Sequence, residues 1–426
     1  MRILVLSNYY PPHVQGGYEL RCSETAAELV KRGHEVAVLT SRDNTRPTKT
    51  RLDGVEVHYG LHLEADPRPL RTALRFFLRR KRNEIGNQLL VEDVIAELRP
   101  DIVFIWGMWN VPRCVPYMAE RLCPGRVVYH LSDYWSALPS AYCQYWEKSS
   151  GRRLSALPKR LIARPVLARL AQAEELHLRF QHPTCVSQAV KDNLVKAGVP
   201  IAHAAVLHSG IDVDQFRNIA RTPINLGDEN MLRLVYAGRL TSDKGVHTAI
   251  EAVARLVQES RTNVHLDIIG DGDSNYITML KRLAGGQGTP LPVRFLAKVD
   301  RGQMPGILAH YDVLVFPSKW DEPFARVVIE AMAVGLVVIG TRTGGTAEVL
   351  IDGETGLVFP ADDSVALANA IERLMNDRAL WELLASAGRQ AVLNNFTRAH
   401  MVDRFERYLQ HVVAHDQPVP GGMAQS

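Results

Sequence analysis

The chain has 426 residues, which is too long for one ordinary hydrophobic core and predicts two domains. A hydrophobic fraction of 46% and a charged fraction of 23% are typical of a soluble globular protein, and no apolar run approaches the length of a membrane-spanning helix. The formal net charge of +4 is too small to predict a nucleic-acid partner.

The first segment predicts one βαβ step of a parallel sheet. Residues 1–7 are β-like and continue directly into domain sequence, so we interpret them as a strand and not as a signal peptide. A loop then leads to a helix at about 18–32 and to a strand at 35–39. Gly16 and Gly17 lie in that loop, where they would let a ligand approach the carboxyl edge of the sheet. A plain flexible turn explains the two glycines alone equally well.

Two stretches, 67–82 and 152–179, interleave apolar side chains with arginine and lysine. In the first stretch the apolar residues recur at helical spacing, at Leu70, Leu74, Phe77 and Leu78. Such a basic amphipathic helix can rest on an anionic membrane surface. Two ordinary surface helices, packed through their apolar sides, have the same composition.

Polar and aromatic residues follow the next predicted strands, at 101–106 and 126–129. His130 stands at the end of the second strand, where a lone histidine is more often structural than catalytic. Asp133, Tyr134 and Trp135 follow it. An aromatic ring can pack on the apolar face of a sugar while polar neighbours bind its hydroxyls, so this cluster suits a carbohydrate.

A second domain begins after a polar connector at 217–230. A strand at 232–236 is followed by Arg239 and Lys244, each with a neighbouring glycine, and then by a helix. Two cations on a loop that opens a helix suit a diphosphate, although surface charge alone can also place them there. Lys298 and Val299 follow a further strand at 293–296.

Neither the cysteines nor an acidic turn predicts a metal. The five cysteines are odd in number and lack the clustered spacing of a zinc site, which fits a reducing cytoplasm without disulfides. The turn at 270–273 reads Gly-Asp-Gly-Asp but lacks the further oxygen ligands of a calcium loop. We therefore expect no metal and no resident cofactor.

The most informative segment is 312–356, which predicts a strand, a loop, a helix and a second strand. Glu322 lies in the loop, and Glu330 lies about two turns into an otherwise apolar helix, where a carboxylate needs a hydroxyl or cationic partner. The free amides from Phe324 onward could bind a phosphate. By themselves, two carboxylates at this spacing are more often a paired core residue and a solvated loop residue.

This block resembles the retaining glycosyltransferases of the family 4 type. The resemblance rests on an ordered motif, which here reads Glu322, Phe324, Glu330, Ala331, Met332, Ala333, Gly344, Gly345 and Glu348. The chain departs from the family where Pro323 and Ala325 replace glycines, and where Leu336 replaces a common proline. Pro323 lacks an amide hydrogen and Ala325 adds a methyl group, so the sugar of the donor is less defined than its class.

The resemblance implies an α/β fold called GT-B, in which two Rossmann-like doubly wound parallel-sheet domains face each other across a cleft. Residues 1–215 would bind the acceptor and be completed by a C-terminal helix at 397–413 that crosses back to them. Residues 216–396 would bind the donor, and 414–426 would be a disordered tail. The implied reaction is transfer of a sugar, with retention of configuration and without a metal, from a UDP- or GDP-sugar to a hydroxyl of a glycan, glycolipid or other glycoconjugate precursor.

The resemblance also assigns roles to individual residues. The catalytic set that it implies is His130, Arg239, Lys244 and Glu322. The donor-binding set is Gly17, Arg239, Lys244, Lys298, Val299, Glu322, Phe324, Ala325, Arg326, Val327 and Glu330. The acceptor side is Gly16, Gly17, Asp133, Tyr134 and Trp135. We expect a cytoplasmic enzyme that contacts the cytoplasmic face of an anionic membrane through 67–82 and 152–179.

The sequence is also compatible with other functions. A nucleotide-sugar epimerase could use the same scaffold without an acceptor, whereas a phosphorylase would need a pyridoxal-binding lysine that no motif identifies. A sugar-nucleotide or lipid-associated binding protein without turnover would keep the same fold.

Overall fold

The structure is a computed structural model. It describes residues 1–14, 16–43, 45, 47–66, 69–147, 162–168, 170, 176–217, 219, 231–259, 263–285 and 290–415. The chain forms two compact units. Unit 1 comprises Met1–Val186, Val190–Leu207 and Val402–Ser426, and unit 2 comprises Ser187–Ala189 and His208–Met401.

Unit 1 contains an eight-stranded sheet. The strands are β1 (Arg2–Leu6), β2 (Glu35–Ser41), β3 (Lys49–Leu52), β4 (Val55–Leu61), β5 (Ile102–Ile105), β6 (Val127–Leu131), β7 (His182–Cys185) and β8 (Ala205–Val206). They lie in the order β3-β4-β2-β1-β5-β6-β7-β8, and only the β3–β4 ladder is antiparallel. The central strands are almost continuously apolar, as expected for parallel strands that are covered on both faces. The strand order reverses between β1 and β5, which is where such sheets bind ligands.

Unit 2 contains a parallel six-stranded sheet. Its strands are β9 (Met231–Ala237), β10 (Asn263–Ile269), β11 (Val293–Leu296), β12 (Val313–Phe316), β13 (Val337–Gly340) and β14 (Leu357–Val358). They lie in the order β11-β10-β9-β12-β13-β14, so the order reverses between β9 and β12. The carboxyl ends of these two strands are therefore the expected ligand position in unit 2.

The helices follow the apolar periodicity of the sequence. In chain order they are α1 (Gly17–Lys31), α2 (Pro69–Leu98), α3 (Cys114–Leu122), α4 (Ala141–Glu147), α5 (Gln188–Lys196), α6 (Asp214–Arg217), α7 (Val246–Gln258), α8 (Ser274–Ala284), α9 (Met304–Leu308), α10 (Arg326–Val334), α11 (Ser364–Asn376), α12 (Arg378–Asn395) and α13 (Arg398–His415). Short 3-10 helices lie at Ser242–Lys244, Arg301–Gln303 and Gly344–Glu348, and residues 162–168 are also helical. No helix in the described residues is both long and apolar enough to cross a membrane.

From Val402 onward, α13 belongs to unit 1. Phe405 is 1% exposed, and its ring lies 5.3 Å from that of Trp106. On the rim of this contact, the Arg32 guanidinium binds the carboxylates of Asp403 at 2.6 Å and Glu406 at 2.7 Å. A buried aromatic contact with ion pairs around it fixes the end of the chain to the first unit.

The expectation of two doubly wound parallel-sheet α/β domains is confirmed. The division between the units falls after Leu207, earlier than the predicted 215/216 boundary, because Ile211 bridges Thr397 within unit 2. Helix α13 extends through His415, so the disordered tail predicted for 414–426 cannot begin at 414. Residues 416–426 lie outside the described residues. The connector at 217–230 and the basic stretch at 152–179 also lie mostly outside them.

Candidate functional site

Two loops meet at the β9/β12 reversal in unit 2. The first follows β9 and ends in the 3-10 helix at Ser242–Lys244, and the second follows β12. Gly245 has a φ of +63°, and a Cβ atom there would lie 2.1 Å from the carbonyl oxygen of Pro317. Only glycine permits this approach, which places the Lys244 side chain beside the second loop.

The Lys244 ammonium forms a close ion pair with the Glu322 carboxylate. The same carboxylate oxygen accepts a hydrogen bond of 2.9 Å from the Ser318 hydroxyl. The two charged side chains are only 10% and 15% exposed, so their attraction is weakly screened by solvent. The structure thus brings together two predicted catalytic residues that are 78 positions apart in the sequence.

The backbone around Glu322 is fixed by a glycine turn. Gly344 has a φ of +54°, and a Cβ atom there would lie 2.3 Å from the Glu322 carbonyl oxygen. The Gly345 amide donates to that same oxygen at 2.7 Å. From β13, the Thr341 hydroxyl donates to the Ser318 carbonyl at 2.5 Å. These contacts hold the loop that carries Glu322 in a fixed position.

Helix α10 begins directly after this loop, at Arg326. Its N-cap residue, Ala325, has no polar side-chain atom that could accept from the first amides. The amides of Arg326 and Val327 are therefore suited to bind an anion or a sugar oxygen. Phe324 and Ala325 are buried, at 7% and 8% exposure. Glu330 accepts a hydrogen bond of 2.6 Å from the Arg326 guanidinium one turn earlier, which supplies the cationic partner that its apolar helix requires.

The other predicted donor residues are more dispersed. Arg239 is exposed after β9 and, within the described ranges, its guanidinium has no ion-pair partner. Lys298 is exposed and Val299 partly buried after β11, which is separated from β9 by β10. They share the carboxyl edge of the sheet with the Lys244–Glu322 pair.

His208 is not among the predicted site residues, yet it lies in the same unit. Its Nε2 lies 2.7 Å from the Glu348 carboxylate, and its ring centroid lies 5.6 Å from that of Phe324. Burial alone would raise the pKa of Glu348, but the bonds from His208 and from the amides of Gln188 and Ala189 outweigh it and lower that pKa. Because His208 and Glu348 are 140 positions apart, local patterns could not reveal the pair.

In unit 1, His130 lies at the carboxyl end of β6 and is 1% exposed. Its Nδ1 is 3.0 Å from the Thr184 hydroxyl, and its ring lies 4.7 Å from both Trp106 and Phe405. Burial lowers the pKa of His130 to about 3, and the nearby positive charge of Arg21 adds to the shift. The ring is therefore neutral at physiological pH and cannot act as a general acid in the imidazolium form.

Acidic groups cluster near the same edge of unit 1. Burial raises the pKa of the Asp133 carboxyl to about 6, the Trp135 amide opposes the shift through a 2.9 Å bond, and Glu19 adds to it. Glu19 is fully buried, and one of its carboxylate oxygens accepts from the Gly16 amide at 2.8 Å. Glu19 is not among the predicted site residues, although its place three residues after Gly16 is typical of a helix-capping carboxylate.

The predicted sugar-stacking role of Trp135 does not match its surroundings. Trp135 is 4% exposed, and the Arg113 guanidinium lies 4.9 Å from its ring centroid. Its ring therefore offers no open face. Trp109, in the loop after β5, is 36% exposed and has the accessible aromatic surface that a sugar would need. Tyr134 is partly buried, and its hydroxyl oxygen accepts a hydrogen bond of 3.3 Å from the side-chain amide of Asn193.

In the part of the chain that the structure describes, no group of three or more histidine, cysteine, aspartate or glutamate side chains could hold a metal ion. The described cysteines are free thiols, and burial raises the pKa of Cys22 and Cys185.

Comparison with known proteins assigns both halves of the chain. The family model described as Glycosyltransferase Family 4 matches residues 15–215, and the model described as Glycosyl transferases group 1 matches residues 220–391. Glycogen synthase from Mycobacterium tuberculosis is 27% identical over 405 residues, which cover 93% of this chain and 91% of that protein.

Solved structures share the fold. A glycosyltransferase from Rickettsia africae superimposes with a TM-score of 0.70 at 18% identity, covering 97% of this chain and 99% of that one. HepE from Anabaena, solved in complex with UDP-glucose, superimposes with a TM-score of 0.66 at 21% identity, covering 96% and 100%. At these identities the likeness concerns the fold.

The glycine turn behind Glu322 makes a stability prediction. Gly344→Ala combines left-handed strain with a clash against the Glu322 backbone, so we expect the unfolding temperature of the protein to fall by about 6 °C or more. Gly353→Ala is the matched control, because Gly353 also has a positive φ of 72° but nothing within 4 Å of its Cβ position. For Gly353→Ala we expect the unfolding temperature to fall by about 3 °C. Equal shifts in thermal unfolding would contradict the packing described for Gly344.

The raised pKa of Asp133 makes a pH prediction. The folded protein holds this proton more tightly than the unfolded chain, so the stability contributed by the group is complete below the unfolded pKa of about 3.9. That contribution is lost as the pH rises through the folded value of about 6. Asp133→Asn should therefore gain about 1.4 kcal/mol in unfolding free energy relative to wild type between pH 5 and pH 8.

Denaturant unfolding at the two pH values measures this change. Asp101→Asn is the control of opposite sign: burial would raise the pKa of Asp101, but the bonds from the amide and guanidinium of Arg2 outweigh it and lower that pKa. Its stabilising contribution is present above the unfolded pKa and is lost only in stronger acid, so its difference from wild type should not change between pH 5 and pH 8. A pH-independent Asp133→Asn difference would show that this carboxyl is not buried as described.

Proposed function

The chain belongs to the GT4-type glycosyltransferases of GT-B fold, and we propose that it transfers a sugar from a UDP- or GDP-sugar to a hydroxyl acceptor. In this proposal the anomeric configuration is retained and no metal is needed. The observation that carries the proposal is the Lys244–Glu322 ion pair at the β9/β12 reversal, next to the uncapped start of α10.

Lys244 would stabilise the diphosphate leaving group. Negative charge builds on the diphosphate as its bond to the sugar breaks, and an ammonium already in place stabilises that charge without reorganisation. Because Lys244 is only 10% exposed, its interaction with a phosphate oxygen would be stronger than in water. Exposed Arg239, on the same loop, would supply a second cation. Two protein cations would thus do the work of a divalent metal.

Glu322 would act on both sides of the breaking bond. One of its oxygens holds Lys244 and the Ser318 hydroxyl, which orients the ammonium. Its other oxygen, together with the amides at the start of α10, would bind hydroxyls of the transferred sugar. The methyl group of Ala325 lies at the helix cap and would limit the size of the sugar at that point.

Glu330 would bind the two ribose hydroxyls of the nucleotide. A ribose presents two adjacent O–H donors, and a carboxylate accepts both. Arg326 donates to one Glu330 oxygen at 2.6 Å and so keeps the carboxylate ionised and oriented. Lys298 and Val299, at the carboxyl end of β11, would contact the base.

The acceptor would bind unit 1 at the β1/β5 reversal. His130 and Asp133 provide hydrogen-bond acceptors there, and Trp109 provides an exposed aromatic surface. Acceptors of hydrogen bonds suit a substrate that presents hydroxyl groups. The acceptor class that fits is therefore a hydroxyl-rich molecule, such as a glycan, a glycolipid or another glycoconjugate precursor.

Helix α2 carries the surface that we propose for contact with an anionic membrane. Its exposed apolar side chains are Phe77 at 57%, Leu78 at 73%, Ile85 at 55% and Leu89 at 54%. Leu78, Ile85 and Leu89 are spaced so that they project from one side of the helix. On another side, Phe76 is buried, with its ring 5.3 Å from that of Tyr142.

Cations accompany this apolar stripe. Arg75 pairs with Asp66 at 2.8 Å and Arg80 with Glu84 at 2.8 Å, so these two charges are neutralised locally. Arg79, Lys81 and Arg82 are exposed and have no ion-pair partner within the described ranges. Exposed apolar side chains beside unpaired cations match the chemistry of an anionic lipid surface. A cytoplasmic enzyme that uses a lipid-linked acceptor would benefit from this contact.

The donor site makes a binding prediction. We expect Lys244→Ala to weaken UDP or GDP binding by about tenfold to a hundredfold, since a charge-assisted hydrogen bond contributes about 1.5 to 3 kcal/mol. Glu330→Gln should lose a similar amount of nucleotide affinity, because its side chain would bind the ribose hydroxyls less well. His130→Ala should lose turnover with little effect on nucleotide affinity. Isothermal titration calorimetry of UDP, GDP, ADP and TDP in EDTA measures these affinities and also tests the independence from metal.

Lys281→Ala is the matched control, because Lys281 is an exposed lysine on α8 of the same unit. It should bind nucleotide like wild type. Wild-type affinity in both Lys244→Ala and Glu330→Gln would refute the donor-site assignment, and binding that disappears with EDTA would refute metal independence.

The α2 surface makes a second prediction. The triple variant Leu78→Ser, Ile85→Ser and Leu89→Ser should float with anionic liposomes less than wild type does, because it lacks three exposed apolar side chains that would enter the bilayer interface. Replacement of Arg79, Lys81 and Arg82 by glutamine should reduce flotation further at low salt. Leu383→Ser is the control, since Leu383 is 57% exposed on α12. Equal flotation of all these proteins would contradict membrane contact through α2.

A further inference from the structure

The ring of His130 is held on several sides within unit 1. Trp106 and Phe405 lie against it, each with a ring centroid at 4.7 Å, and the Thr184 hydroxyl lies 3.0 Å from Nδ1. The residue is 1% exposed. With this packing the ring has a fixed orientation, in which Nδ1 points to β7 and Nε2 points away from Thr184. Burial holds the pKa of His130 at about 3, so the neutral ring carries one proton on one of its two nitrogens.

The position of that proton follows from Thr184. Its hydroxyl oxygen is also 2.9 Å from the carbonyl oxygen of Tyr129, which can only accept a hydrogen bond. A hydroxyl has a single proton to donate. If that proton went to Nδ1 of His130, two oxygens would face each other at 2.9 Å with no hydrogen between them, which is repulsive in a buried site.

The opposite arrangement uses both contacts. The Thr184 hydroxyl then donates to the Tyr129 carbonyl, and the Thr184 oxygen accepts from Nδ1–H of His130. Both short distances become hydrogen bonds, and none of these buried polar atoms is left facing another of the same kind.

We propose that Thr184 is a positioning residue that fixes His130 in its Nδ1-protonated tautomer and leaves Nε2 as a hydrogen-bond acceptor. The relevance of this tautomer to catalysis rests on the proposed function, which places His130 beside the reacting sugars. A neutral Nε2 with a lone pair accepts a hydrogen bond from a hydroxyl and repels a phosphate or carbonyl oxygen. The substrate group that it meets is therefore a sugar or acceptor O–H, and not the diphosphate.

Nuclear magnetic resonance of the protein labelled with ¹⁵N-histidine tests the tautomer directly, because protonated and unprotonated ring nitrogens have well separated shifts. The signals of His130 are those that disappear in His130→Asn. We expect Nδ1 to be protonated and Nε2 unprotonated in wild type, with no change of tautomer from pH 6 to pH 8. Thr184→Val should shift the population toward Nε2–H, and Thr184→Ser should restore the wild-type spectrum because it keeps the hydroxyl.

Thr40→Val is the matched control, since Thr40 is a buried threonine in a strand of the same sheet and its hydroxyl has no partner within the described residues. It should leave the His130 signals unchanged. A wild-type spectrum with Nε2 protonated would overturn the proposal, and so would a Thr184→Val spectrum that keeps the wild-type tautomer. Release of UDP from UDP-glucose, measured on the same variants, separates the two proposals: a wild-type rate in His130→Asn would refute the catalytic role of His130 while the spectrum still decides the tautomer.

Discussion

The ion pair between Lys244 and Glu322 is the interaction on which the candidate donor site depends. It forms because Gly245 lets the loop after β9 approach the loop after β12, and because the turn at Gly344 holds the backbone of Glu322. Two opposite charges that are largely removed from water hold each other in place. An ammonium that is already positioned needs little reorganisation to meet a diphosphate, and this is the property that a glycosyl transfer without a metal requires.

Unit 1 follows a different constraint, because its proposed site residues accept hydrogen bonds and carry no positive charge. His130 is packed between aromatic rings, and burial raises the pKa of the Asp133 carboxyl to about 6. Such groups accept hydrogen bonds without carrying a positive charge, so they suit a hydroxyl-rich substrate better than a phosphate. The site residues of unit 2 include the cations Lys244 and Arg239, whereas those of unit 1 accept hydrogen bonds, and this difference supports the proposed assignment of the diphosphate to unit 2. An epimerase or a binding protein without turnover would not need the hydrogen-bond-accepting groups at this edge of unit 1.

Local spacing predicted much of this from sequence. The strand, loop, helix and strand at 312–356 lie almost where the pattern placed them, and the partner of Glu330 is Arg326, one turn away on the same helix. Long-range contacts were beyond local patterns: Lys244 meets Glu322, and His208 meets Glu348, only after the sheet has formed. The burial of Trp135 under Arg113 was missed for the same reason, as its sequence neighbours do not include the loop that covers it.

The most direct test of the central claim is to incubate the wild-type protein in EDTA with a panel of UDP- and GDP-sugars, where water replaces the acceptor hydroxyl and receives the sugar, and to measure release of the nucleoside diphosphate by ³¹P nuclear magnetic resonance. The account predicts that at least one donor is consumed and that Lys244→Ala slows its consumption by about a hundredfold or more, as expected for loss of a group that stabilises the leaving charge. Consumption at an equal rate by both proteins, or consumption only when a divalent metal is added, would contradict it.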